Sequence, residues 1–120
     1  VRESWAPGEP IEWVQVTHLA DYAQFSHAAH VNVGVGCETC HGRVDQMEVV
    51  YLAEPMSMGW CLECHRAPEE YLRAPDLVTT MGYDEATREG AAREERLETN
   101  IARIEQEGIM PPQNCSACHY

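Results

Sequence analysis

Several things are scarce in this 120-residue chain. It has no Lys, so all eight basic residues are Arg, and 20 acidic residues set the formal net charge at −12. That balance excludes nucleic acid and anionic membrane surfaces as expected partners. No run approaches the ~20 apolar residues of a membrane span. No hydrophobic region follows Val1-Arg2-Glu3-Ser4-Trp5, so no signal peptide is read there and the numbering is expected to start at a mature or truncated end. Phe occurs once and the apolar runs are short. A chain of this size with so few large apolar residues is short of material for a conventional core.

What is present is a repeated pentapeptide. Cys37-Glu38-Thr39-Cys40-His41 recurs as Cys61-Leu62-Glu63-Cys64-His65 and as Cys115-Ser116-Ala117-Cys118-His119, and the three copies use all six cysteines. Cys-x-x-Cys-His is the attachment motif of c-type haem: two thiols form thioethers with the vinyl groups and the His ligates the iron. Three disulfides would not require a His after every second Cys. A zinc site would need further ligand pairs, and a His directly after the second Cys is poorly placed to join one. The expected cofactors are therefore three haem c groups, bound by Cys37, Cys40, Cys61, Cys64, Cys115 and Cys118, with iron ligands His41, His65 and His119.

Three haems in 120 residues leave about 40 residues each. The expected fold is small and mostly irregular, with a few α-helices around a haem stack that serves as the core. One trihaem cytochrome c domain over 1–120 is expected. Residues 1–10 read as an irregular lead-in, 11–18 as extended, 21–31 as a short helix, and 43–52 as a strand or an extended cover. A short helix carries the second motif and ends near Pro68. Residues 69–83 connect. The clearest helix is 84–107, capped by Asp84, with Glu85 in its first turn, a narrow stripe of Leu97, Ile101 and Ile104, and Gly90 as a weak point. Gly108 and Pro111-Pro112 end it. Its Glu and Arg residues read as a solvated surface.

Six His are present. His18, His27 and His30 all precede the first motif. Three irons with two axial His each need six, so the count closes. His27 and His30, three apart, share a helix face and are too close to ligate opposite sides of one haem. They are expected to reach two different haems. Met47, Met56 and Met58 compete with His18, but a Met beside a haem more often packs against the ring. If every iron has two ligands, no iron binds substrate and the chemistry is electron transfer, not catalysis. The alternative from another class is a multihaem reductase with one open iron.

Phe25-Ser26-His27-Ala28-Ala29-His30 ahead of Cys37-x-x-Cys40-His41 resembles the opening of class III multihaem cytochromes c, the c3 and c7 types. The resemblance implies His27 as ligand of the Cys37/Cys40 haem, His30 of a neighbour (taken as the Cys61/Cys64 haem), and His18 of the Cys115/Cys118 haem. Residues 13–68, with His27-Ala28-Ala29-His30-Val31, Gly34-Val35-Gly36 before the first motif and Met58-Gly59-Trp60 before the second, resemble the class III-like part of the pentahaem cytochrome subunit of alternative complex III, a quinol:acceptor oxidoreductase. This chain carries three motifs where that subunit has five, and Ala20 where a Pro is expected. The resemblance implies a periplasmic or extracellular electron carrier whose partners are other redox proteins or further copies of itself. Two variants follow: a subunit that wires a larger complex, or the repeating unit of a filament in which His18 of one copy serves the next.

Overall fold

The computed structural model describes residues 2–119. Seven helices follow in order: α1 (Arg2–Trp5), α2 (His27–Asn32), α3 (Cys37–His41), α4 (Met58–Arg66), α5 (Tyr83–Ala86), α6 (Gly90–Glu107) and α7 (Cys115–Cys118). Three 3₁₀ turns, at Val44–Gln46, Pro68–Glu70 and Pro75–Leu77, sit in the connections. Among the described residues there is no strand, only two isolated antiparallel bridges, Ala23 with His119 and Val35 with Leu72. Each haem-type motif lies on a helix, and two of those helices are only four or five residues long.

The expected helix over 21–31 is shorter, starting only at His27, and the 11–18 and 43–52 segments do not pair as strands. The single helix expected over 84–107 is broken. Thr87 ends α5, and Gly90, at φ +66°, opens α6 from a left-handed conformation that glycine adopts without cost. Asp84 does not cap: Gly82 holds that position and Asp84 lies within the first turn, as does Glu85. Gly108, at φ +64°, closes α6 as expected.

The protein's own apolar interior is very small. Val35, Leu72 and Val78 are its only buried hydrophobic residues among those described, and Glu38, Arg73 and Asn100 are buried with them. Large apolar side chains elsewhere, including Phe25, Tyr51 and Leu52, remain exposed to differing degrees. The radius of gyration is 16.9 Å, against about 14 Å for a compact chain of this length. Among the described residues no helix is long and apolar enough to cross a membrane.

Polar bonds hold α6 in place. Asn100 donates to the Glu69 and Leu72 carbonyls at 2.9 and 2.6 Å. Arg96 donates to the Glu70 carbonyl at 2.9 Å, and Arg93 pairs with the Glu70 carboxylate at 2.6 Å. Arg103 donates to the Arg73 carbonyl at 2.7 Å and to the Val33 carbonyl. The irregular turns leave these carbonyls without ladder partners, and long donors from one helix satisfy them. Of the Glu and Arg residues expected on a solvated surface, Arg93, Arg96 and Arg103 turn to the connecting turns, while Glu94, Glu95, Glu98 and Glu105 stay exposed, and Ile101 of the apolar stripe is 48% exposed.

Candidate haem-binding sites

α3 starts after Gly34-Val35-Gly36, where the chain passes against Arg73. Gly34 is at φ +89°, a Cβ on it would run into the Arg73 carbonyl, and a Cβ on Gly36 would run into the Arg73 guanidinium. The close approach lets Arg73, fully buried, pair with Glu38 at 3.2 Å and Asp84 at 2.6 Å while lying 4.5 Å over the Tyr83 ring. The Gly82 and Asp84 amides also donate to the Glu38 carboxylate, at 2.5 and 2.8 Å. Burial acts to raise the Glu38 pKa, but the Asp84 and Gly82 amides and the Arg73 charge outweigh it and hold the carboxyl below its ordinary value. Thr39 donates to Asp84 at 2.7 Å. Both residues between Cys37 and Cys40 are thus tied into the protein.

α4 is capped by Ser57, whose hydroxyl accepts from the Trp60 amide at 3.3 Å. Burial, then the nearby Cys61, pushes the Cys40 thiol up to about 11, and burial, then Cys40, does the same for Cys64. Cys118 in turn acts on Cys61. The six cysteines are unbonded to one another, and no group of three or more His, Cys, Asp or Glu converges to hold a bare metal ion among the described residues.

The imidazoles form facing pairs. His27 and His41 have ring centroids 6.3 Å apart and planes parallel to within 2°. His30 and His65 are 6.1 Å apart at 40°. Two imidazoles on opposite sides of one metal ion place each nitrogen about 2 Å from it. Each centroid lies roughly 1.1 Å farther out, which gives about 6.2 Å in all. In the second pair, His65 Nδ1–H donates to the Pro112 carbonyl at 2.6 Å and His30 Nδ1–H to the Ser26 carbonyl at 2.8 Å. A carbonyl can only accept, so the tautomer is fixed and both Nε2 lone pairs are free for a metal. The residues fit a haem iron at both positions. The Phe25 ring packs on both upstream His, its centroid 4.8 Å from that of His27 and 4.6 Å from that of His30.

A family model described as "Cytochrome c7 and related cytochrome c" matches residues 23–120. The chain belongs to this cytochrome c7 family. No curated protein matches it. Membership makes it a multihaem c-type cytochrome, with covalently bound haem and electron transfer as its chemistry. The small, irregular helical fold without strands is the one expected for such a cytochrome.

The third motif is arranged differently. His119 has the Tyr22 ring beside it, 5.6 Å away and tilted by 42°. Among the described residues no imidazole faces His119, and His18 instead donates from Nε2 to the Gln15 carbonyl at 2.8 Å. Met58 is 66% exposed. Sequence reasoning missed Arg73 and the inward role of Glu38. The signal was a charged residue inside a motif whose other members are attachment groups.

Proposed function

We propose that the chain carries electrons through three covalently attached haems in a single domain over 1–120. Each haem supplies a one-electron iron couple. Cys37 and Cys40 would hold the first, with His41 and His27 as axial ligands. Cys61 and Cys64 would hold the second, with His65 and His30. Cys115 and Cys118 would hold the third, with His119, and His18 is the remaining imidazole of the six. The observation that carries this reading is the pair of facing imidazole couples, 6.3 and 6.1 Å apart.

The chain's own residues then have defined tasks. The Pro112 and Ser26 carbonyls orient His65 and His30. Because α2 would supply a ligand to each of two sites, it would set their spacing, and Phe25 packs on both ligand rings. His27 and His41, and His30 and His65, would hold the first two irons between them and leave no place for a substrate, which favours conduction over catalysis. Attachment of haem to this motif follows export, so we place the protein in the periplasm or outside the cell. A surface of net charge −12 suits a redox partner with a basic docking face.

A second reading is a wiring subunit of a quinol-oxidising membrane complex, or a filament unit. It is favoured by the N-terminal arm, where Trp5, Trp13 and Val14 are 86, 81 and 87% exposed. Intact-mass measurement of the purified holoprotein tests the leading reading, with an expected mass of the polypeptide plus three haems. A mass with fewer contradicts it. Sizing of the same sample separates a monomeric carrier from a subunit that self-associates.

A further inference from the structure

The third motif is fastened to the N-terminal segment by backbone bonds and by the Tyr22 ring beside His119. Ala23 bridges His119, and the Gln24 amide donates to the Cys118 carbonyl at 2.8 Å. A turn closed by the Ala23 amide on the Ala20 carbonyl, at 2.8 Å, then leads away from the site. His18 lies beyond that turn on an exposed stretch. Its Nε2, the nitrogen that His30 and His65 keep free, is engaged on the Gln15 carbonyl at 2.8 Å.

Tyr22 does not stand in for the missing imidazole. A phenol oxygen holds its ring farther from a metal than an imidazole nitrogen does. A Tyr ring across a metal from His119 would therefore lie beyond the 6.1–6.3 Å of the two imidazole pairs. At 5.6 Å, Tyr22 packs on the His119 side. Cys115, which opens this motif, is exposed to solvent, unlike the cysteines of the first two.

We propose that the third site is a ligand-binding site with an exchangeable sixth position. It takes a small exogenous ligand, a neutral diatomic π-acceptor such as carbon monoxide, in competition with His18 from the exposed arm. This rests on the reading of Cys115 and Cys118 as haem attachment residues. The ligand adds to iron(II) as a lone-pair donor. Where His18 is bound it leaves as neutral imidazole, so no electrons are consumed.

The test is titration of the fully reduced holoprotein with carbon monoxide, followed by the Soret absorbance, on material whose mass shows three haems. The expected result is one carbon monoxide per chain in the wild type. H18A keeps that stoichiometry and binds several-fold faster, because the competitor is gone. H30A takes two, because a paired site has been opened. Wild-type protein that takes none overturns the inference and leaves the proposed electron transfer standing. Wild-type protein that takes two or three overturns both, since the paired imidazoles would then not be holding their irons.

Discussion

α3 and α7 carry the same attachment pattern on opposite kinds of support. In α3 the intervening Glu38 is buried at 6% exposure and receives two backbone amides and the Arg73 guanidinium. In α7 the intervening residues are Ser116 and Ala117, the helix has four residues, and its ties to the N-terminal segment are backbone bonds and one ring contact, with no buried ion pair. The motif specifies attachment and one ligand. Rigidity, burial and the second ligand come from whatever the rest of the chain places around it. The first site is built into a network that spans Gly34 to Arg103, whereas the third is held at the edge.

Removing that network should have the largest effect. Arg73→Ala removes the closer, buried cation of Glu38 and leaves only Arg43 at 3.9 Å, an expected loss of about 3–5 kcal/mol. Guanidinium unfolding of the holoprotein measures it, and a change below about 1 kcal/mol would mean that the ion pairs do not support α3. Next comes Asn100→Ala, which strands two turn carbonyls and should cost about 1–3 kcal/mol in the same assay. Ser57→Ala, which removes only the cap of α4, should cost about 1 kcal/mol. A cost for Asn100→Ala below that of Ser57→Ala would break the claim that α6 docks through its polar face.

The pH dependence sharpens the same contrast. The folded pKa of Glu38 is depressed below its ordinary 4.5. Its contribution to stability is therefore complete above that value and is lost as pH falls through the folded pKa. Glu38→Gln should flatten the acid limb of the stability curve below about pH 4.5. Substitution of Ser116 or Ala117 by Gln should leave that limb unchanged. An unaltered acid limb in Glu38→Gln would show that the carboxylate is not anchored by the folded chain.

Much of the site is written in the residues themselves. The proposed attachment cysteines, proximal His and upstream pair His27 and His30 are read from chemistry that needs those residue types in that order. The first two pairings expected from the family resemblance coincide with the rings that face each other. The scaffold was less legible, because it rests on backbone carbonyls that no side-chain pattern reports. Asp84 reads as a cap but serves as a carboxylate partner of Arg73 and Thr39. The Arg93, Arg96, Asn100 and Arg103 row has helical spacing, yet periodic polar residues ordinarily mean solvent. Here the turns they face have no sheet or helix to bond to, so the polar row turns inward.

The central claim is that α2 supplies one axial ligand to each of the first two haems. Near-infrared magnetic circular dichroism of the oxidised holoprotein, combined with redox titration, reads axial ligation haem by haem. His27→Met and His30→Met should each convert one haem from paired imidazole to mixed His/Met ligation and raise one potential. The double variant should convert two. A spectrum and potentials unchanged in either single variant would contradict the account.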